Sequence, residues 1–203
     1  MNYPDSIQQL INLLSKLPGI GKKSAERLGF YILSAPDEFA LSLASTLKQI
    51  KSQIKNCRIC GNYTEDDICA ICSSTKRDRS RICVVEDPRD VFIIESLKLF
   101  DGLYHILFGI ISPLDGISSE DLNIEPLIER IKKDSIKEII FALSPTAEGE
   151  TTIMYISKLL APYPAKITKL AYGLPVGSNI RYADLVTLAK SFLRREDLKG
   201  DGP

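Results

Sequence analysis

Four cysteines stand in two Cys-x2-Cys pairs separated by eight residues, which is the spacing of a ligand set for one tetrahedral metal ion. A Cys-x2-Cys pair folds into a tight turn that directs two thiolates at one point, and two such turns complete a four-thiolate shell. Zinc is the ion that this shell favours. Because all four coordination positions are filled, we predict one structural zinc per chain rather than a catalytic one. The predicted ligands are Cys57, Cys60, Cys69 and Cys72.

Two disulfides or four unrelated thiols are the alternatives to a metal site. Disulfides would suit a secreted chain, but the residues from Met1 onward lack the basic start, apolar core and small-residue cleavage site of a signal peptide. The fifth cysteine, Cys83, lies in an apolar run over residues 82–85. We predict that it is buried in a strand rather than reactive.

The segment Leu-Pro-Gly-Ile-Gly-Lys-Lys-Ser-Ala-Glu-Arg-Leu at residues 17–28 is a helix-hairpin-helix signature. Its two glycines allow a sharp turn, and their N–H groups can reach a phosphate without an intervening side chain. Basic side chains follow where they can neutralise neighbouring phosphates, in a mode that reads the DNA backbone rather than its sequence. The alternative is a structural hairpin whose basic residues face water. The candidate DNA-binding residues are Gly19, Gly21, Lys22, Lys23 and Arg27.

A Walker A phosphate-binding loop is excluded at the same place. Gly21-Lys22 is followed by Lys23 where the loop requires Ser or Thr, and the residue five before Gly21 is Lys16 rather than Gly.

Apolar periodicity predicts three helices before the cysteines. The first begins at a capping box of Ser6 and Gln9 and stops at Pro18-Gly19, and the second runs from near Lys22 to about Leu33. The third begins at Pro36-Asp37 and carries a narrow apolar stripe suited to packing on a partner helix. The stripe consists of Leu43, Leu47, Ile50 and Ile54.

Strands and helices alternate after residue 81, which predicts a mostly parallel sheet covered on both faces. The predicted strands span 82–85, 104–108, 138–143 and 166–171, and the helices span 89–99, 124–133, 150–160 and 182–194. The fold class is therefore α+β and multidomain. We predict a helix-hairpin-helix domain over 1–54, a zinc finger over 55–76, an α/β domain over 77–175 and a C-terminal helical arm over 176–203.

Composition is that of an ordinary soluble protein, with 203 residues, 44% hydrophobic and 26% charged. No apolar run approaches the roughly 20 residues of a membrane helix, so the sequence predicts a cytoplasmic protein. The 26 basic and 26 acidic residues balance. Basic residues nevertheless concentrate at 48–58, without an acid, and at 76–81, with Asp78 as the only acid. Such runs are either solvated faces or nucleic-acid contacts, and composition leaves both open.

Two acids follow predicted strands, at the edge where open α/β sheets place their sites. Glu86 ends the first strand, and Glu148 follows a later one. Together they could hold Mg²⁺ for phosphoryl chemistry, or they could cap helices and form ion pairs. The single histidine, His105, lies in an apolar stretch that favours a hydrogen-bonded core histidine.

With these parts in this order the chain resembles the RecR family of bacterial recombinational-repair proteins over essentially its whole length. The resemblance implies a helix-hairpin-helix, a four-cysteine zinc finger, a Toprim domain (the α/β domain predicted above) and a C-terminal arm. The segments that carry it are residues 17–28, 57–72, 81–86, 109–117, 145–151 and 173–177.

The resemblance further implies a dimer or ring-shaped homotetramer that clamps single- and double-stranded DNA regardless of sequence. That assembly works with RecO, and in some bacteria with RecF, to help load recombinase onto single-stranded DNA. The resemblance also implies association with the nucleoid. Lys22, Lys23 and Arg27 match the family's DNA-binding positions, and the four cysteines match its zinc ligands. Glu86 matches the Toprim glutamate, and Glu148 falls in an acidic turn associated with partner contact.

The resemblance also bears on catalysis. Toprim enzymes pair their glutamate with an Asp-x-Asp after a later strand to hold Mg²⁺, and this chain has Ser144-Pro145-Thr146 there. Because the Asp-x-Asp pair is missing, we predict no catalysis. As a separate departure from the family, many relatives have Asn where Ser144 stands. Two other hypotheses stay open at this point: a structural adaptor, and a Mg²⁺-dependent nuclease or topoisomerase that uses Glu86, Asp87, Asp90 and Glu148.

Overall fold

The structure is a computed structural model that describes residues 3–195. Its contacts divide the chain into two compact units, the first ending at Ile54 and the second beginning at Lys55. The described part includes most of the predicted C-terminal arm, and residues 196–203 of that arm lie outside it. None of the helices in this described part is long and apolar enough to cross a membrane.

Three helices form the first unit, in the order predicted. They are α1 (Asp5–Leu14), α2 (Lys22–Ser34) and α3 (Asp37–Gln53). Helices α1 and α2 pack closely because α2 presents small residues, Ala25 and Gly29, to the buried Ile11 of α1. A Cβ added at Gly29 would lie 3.2 Å from Ile11 Cγ1. This contact fixes α1 against the helix that follows the glycine turn.

The prediction for the start of α1 is wrong. No side chain caps this helix, and Ser6 and Gln9 do not form a capping box. Pro4 precedes the first turn instead, and its carbonyl oxygen accepts hydrogen bonds from the amides of Ile7 and Gln8, both at 3.0 Å. The helix also ends at Leu14, because residues 15–19 form turns.

The second unit begins with the two cysteine turns. The short strands β1 (Lys55–Asn56) and β2 (Tyr63–Thr64) pair antiparallel, and a single helical turn, α4 (Ala70–Ser73), carries the last cysteine. These elements are too short for an apolar pattern to reveal, and the sequence did not predict them.

A four-stranded, fully parallel sheet follows, which confirms the predicted α/β architecture. Its strands are β3 (Arg81–Val85), β4 (Leu103–Ile106), β5 (Glu138–Ala142) and β6 (Lys166–Lys169), arranged in the order β4-β3-β5-β6. Strand β3 is central and β4 is an edge. The core lies on the sheet and includes Ile82, Val84, Leu107, Leu127 and Phe141.

Four helices accompany the sheet or follow it: α5 (Pro88–Ser96), α6 (Ile124–Lys133), α7 (Ala147–Leu160) and α8 (Leu185–Leu193). Helix α7 begins three residues before its predicted start because the Thr146 side chain caps it, accepting from the Gly149 amide at 3.1 Å. The predicted helix over 182–194 is shorter, because Asp184 caps a new start at Leu185. Single 3-10 turns lie at Pro113–Asp115, Ser119–Asp121 and Ile180–Tyr182.

The first turn of α7 has no room for a Cβ atom at position 149. A Cβ there would lie 2.0 Å from the carbonyl oxygen of Ser144, a backbone atom that cannot rotate away. We expect Gly149→Ala to lower the free energy of unfolding by about 1 to 3 kcal/mol, because the turn that carries Ser144 must shift. Thermal denaturation measures this loss.

Gly173→Ala is the matched control, since a Cβ at Gly173 would meet no atom within 4 Å. Equal stability of the two variants would contradict the close approach at Gly149.

His105 is a buried core histidine on β4, as predicted, and it introduces a pH dependence. Its Nε2 donates to the Asn123 carbonyl oxygen at 2.6 Å, and Nδ1 has no hydrogen-bond partner. Burial lowers the pKa of His105 to about 4. The unfolded chain therefore takes up a proton at this residue near pH 6.5, well before the folded chain does.

Stability should consequently fall as the pH drops from 6.5 to 4, by on the order of 3 kcal/mol from this residue alone. Denaturant unfolding at each pH, with zinc present, measures the loss. His105→Gln keeps a donor for Asn123 and has no titrating ring, so the difference between the two pH profiles isolates the histidine. Parallel profiles would show that His105 does not titrate differently in the folded and unfolded states.

Candidate zinc centre and nucleic-acid interface

The structure brings the four predicted zinc ligands together. The sulfur atoms of Cys57, Cys60, Cys69 and Cys72 all lie within 4.8 Å of one another, and each side chain is buried. None of the four forms a disulfide. In the part of the chain that the structure describes, no other group of three or more Cys, His, Asp or Glu side chains is close enough to hold a metal. The cluster fits one structural zinc.

Backbone hydrogen bonds build the two turns before any metal contact is considered. The Gly61 amide donates to the Cys57 carbonyl at 2.8 Å, and the Cys57 amide donates to the Asn62 carbonyl at 2.7 Å. Amides also point at the sulfur atoms, with Cys69 N donating to Cys57 Sγ at 3.3 Å and Asn62 N to Cys60 Sγ at 3.4 Å. Such donors stabilise thiolates, which is the form that binds zinc.

Glycine is required in the first turn for two reasons. Gly61 has a φ of 84°, and a Cβ there would lie 2.8 Å from the Phe108 ring. Next to it, the Cys60 carbonyl accepts a hydrogen bond from the Ile106 amide at 2.8 Å. The zinc finger is therefore joined directly to edge strand β4.

The cysteine cluster is electrostatically incomplete by itself. Hydrogen bonding with Cys69 raises the pKa of Cys60, and the same contact lowers the pKa of Cys69. One thiolate thus forms at the expense of its neighbour. A divalent cation removes this competition, since it stabilises all four sulfurs as thiolates.

Cys83 is no part of the centre. It is buried in β3, as predicted, within the apolar cluster that also packs the zinc finger. Burial raises the pKa of its thiol to about 12, which keeps it protonated and unreactive.

The hairpin presents an uncapped helix start. Gly19 has a φ of 78°, and Gly21 is the N-cap of α2 and has no side chain that could accept a hydrogen bond from the first amides. A Cβ at either glycine would meet no atom within 4 Å, so the approach to these amides is open. No acid lies in the first turn of α2. Such a helix start attracts an anion.

Basic side chains surround this start. Lys22, Lys23 and Arg27 are all exposed, and none forms an ion pair within the described residues. Lys23 and Arg27 are four residues apart on α2 and share a face. The arrangement can contact successive phosphates of a nucleic-acid backbone, and it offers nothing that would read bases.

The acids at the sheet edge already have structural partners. Glu86 accepts a hydrogen bond from Ser144 Oγ at 3.0 Å. Asp87 caps α5 and pairs with Arg89, while Asp90 accepts from the Asp87 amide at 3.0 Å and completes a capping box. Glu148 lies in the first turn of α7 and does not join these acids in a metal-binding group.

Four family models match the chain in succession. They are the RecR helix-hairpin-helix over residues 7–51, the RecR four-cysteine zinc finger domain over 54–74, the Toprim domain over 80–171 and the RecR C-terminal model over 173–196. The chain is also similar to the recombination protein RecR of Staphylococcus aureus strain MRSA252. The two are 48% identical over 198 residues, which cover 98% of this chain and all of that relative.

Loss of one ligand should release the metal. We expect Cys69→Ser to bind less than one equivalent of zinc and to lower the melting temperature of the second unit, because three thiolates hold the ion less tightly and the finger has little core of its own. Elemental analysis of the purified protein and a thermal melt measure both effects.

Cys83→Ala is the control, because this cysteine packs nearby without belonging to the cluster. It should retain one zinc. Full zinc content in Cys69→Ser, or an unchanged melt after chelation of the wild type, would contradict a structural site.

Proposed function

Because the chain belongs to the RecR family of recombination proteins, we propose that it is a non-catalytic DNA clamp. It binds single- and double-stranded DNA without sequence preference and acts in recombinational repair. With RecO, and with RecF where that protein is present, it helps load recombinase onto single strands. This role places the protein at the nucleoid in the cytoplasm.

One observation carries the DNA contact: the start of α2 is open, uncapped and free of acids, with Lys22, Lys23 and Arg27 exposed around it. Phosphates suit both parts of this arrangement, since amides at a helix start and cationic side chains each favour an anion. The glycines that make the turn, Gly19 and Gly21, keep Cβ atoms out of the approach. Within the proposed division of the chain, residues 1–54 supply this contact.

Several contacts support the absence of catalysis. The residues that stand in place of the Toprim Asp-x-Asp form structural hydrogen bonds: Ser144 Oγ donates to Glu86, and the Thr146 side chain caps α7. Asp87 and Asp90 are held in a capping box. A carboxylate site for Mg²⁺ needs several free oxygens converging on one point, and the described residues at this edge form no such group of three or more.

Exposed apolar surface on α3 supports an oligomer, from a dimer to a ring-shaped tetramer. Helix α3 has no buried residue, and its apolar side chains Leu47 and Ile50 are each more than half exposed. A 17-residue helix without a buried residue gains little stability from its own unit, so a second copy of the chain is a fitting partner for the apolar stripe of α3.

We assign contact with RecO to the acidic edge of the sheet that carries Glu86 and Glu148.

The proposal is tested by DNA binding at several salt concentrations. We expect Lys22→Glu/Arg27→Glu to raise the Kd for a labelled gapped duplex by at least about 25- to 60-fold at 0.1 M salt, since two phosphate contacts are lost and the new carboxylates repel the backbone. The slope of log K against log salt should become shallower by about 1.4 to 1.8. Fluorescence anisotropy measures both, and the recovered DNA is examined for nicks after incubation with Mg²⁺.

Lys137→Glu/Lys158→Glu is the matched control, because both lysines are exposed in the second unit and neither forms an ion pair within the described residues. It should bind nearly as the wild type does. Equal losses in both variants would show a general charge effect and sink the assignment to the hairpin. Nicks that depend on Mg²⁺ would overturn the absence of catalysis.

A further inference from the structure

A cationic cleft in the second unit is used by neither the hairpin nor the zinc centre. Its volume is about 540 Å³, and it lies between the segment after the last cysteine and the loop after α5. Four cationic and two anionic side chains line it. They are Lys76, Arg77, Arg81 and Lys98, and Glu95 and Asp101.

The two arginines are fixed in place and balance the acids. Arg77 Nη1 donates to Glu95 Oε1 at 2.9 Å and to the Phe100 carbonyl oxygen at 3.3 Å. Arg81 pairs with Asp101 and, through Nε, with Asp78 Oδ2 at 2.8 Å, although Asp78 does not line the cleft. These ion pairs engage both acids of the cleft, and neither acid pairs with a lysine.

The two lysines remain uncompensated. Lys76 and Lys98 are exposed, and neither has an ion-pair partner among the described residues. Both line the cleft, Lys76 from the segment after the zinc finger and Lys98 from the loop after α5. An ammonium on a long flexible stem binds phosphate as a point charge, without demanding one fixed geometry.

The backbone at Lys98 is independent support. Its φ is 55°, in the left-handed region, directly after the C-cap of α5 at Leu97. Glycine is the usual residue at such a position because it adopts this conformation without strain. A lysine held there is strained, and strained residues concentrate where a side chain has a function to perform.

We propose that Lys76 and Lys98 bind the phosphate backbone of DNA, as a second contact besides the hairpin. This inference rests on the proposed DNA-clamp function and deepens it. The basic run at residues 76–81 then has two roles: Arg77 and Arg81 pair with the acids of the cleft, and Lys76 contacts the ligand. The two unpaired lysines supply charge to the phosphate backbone, and phosphate contacts carry no sequence information directly.

The decisive variant is Lys98→Gly, because function and folding predict opposite changes. Removal of the strain should leave the melting temperature unchanged or raise it by about 1 to 3 °C. Loss of one phosphate contact should raise the Kd for the gapped duplex by about 5- to 8-fold at 0.1 M salt and make the salt slope shallower by about 0.7 to 0.9. Lys76→Ala should give the same binding change without the gain in stability.

Lys158→Ala removes one exposed positive charge elsewhere in the same unit and serves as the control. The hairpin variant Lys22→Glu/Arg27→Glu is measured beside it. If that variant loses binding while Lys98→Gly and Lys76→Ala bind like the control, the cleft is no DNA contact and the proposed function stands. If the wild type binds no DNA, both proposals fail together.

The alternative ligand for Lys76 and Lys98 is a free oxyanion instead of the phosphate backbone of DNA. Addition of inorganic phosphate at constant ionic strength tests this alternative. Phosphate that raises the melting temperature of the wild type but not of Lys98→Gly, with an unchanged DNA salt slope in the variant, would overturn the assignment to DNA. Weaker DNA binding by both lysine variants, with no specific stabilisation by phosphate, is the result expected.

Discussion

Four sulfur atoms buried within 4.8 Å of one another are the constraint on which the second unit depends. They cannot all be thiolates without a cation, and the finger that holds them has only short strands and one helical turn for structure. Zinc adds to the backbone hydrogen bonds that hold the first turn, and the Cys60 carbonyl of that turn accepts from the Ile106 amide at the edge of the sheet. The metal acts as a fold element, and it protects the edge of β4 by keeping the first turn against it.

Both candidate DNA contacts use places where the backbone departs from ordinary geometry. The hairpin leaves the first amides of α2 without a side-chain cap, next to Gly19 at positive φ, and the loop after α5 holds Lys98 in the same region of backbone space. Capping and relief of strain would each stabilise the protein. Their absence at exposed basic sites is consistent with stability given up for ligand contact.

The sequence predicted the parts whose signal is local or strongly periodic. Cysteine spacing identified the metal cluster, and apolar runs located all four parallel strands to within a few residues. The start of α7 was predicted wrongly because one hydrogen bond to the Thr146 side chain decides it, and the start of α1 because no side chain caps it at all; competing caps look alike in sequence. The cleft beside the zinc finger could not be predicted from the sequence, because Glu95 and Asp101 are distant from the basic run in the chain and come close to it only in the folded protein. The sequence of the basic run is equally compatible with a solvated face.

The balance of 26 basic and 26 acidic residues conceals how the charges are distributed. In the cleft, Glu95 and Asp101 are paired with arginines that are partly buried, so their negative charge is cancelled at short range. The acids near the sheet edge are similarly engaged, in a capping box and with Ser144. Among the described residues Lys76 and Lys98 then have no ion-pair partner, and in the proposed complex they offer a phosphate backbone local positive charge on a molecule that is neutral as a whole. Which residues are paired therefore matters more for nucleic-acid binding than net charge, and pairing is set by the fold.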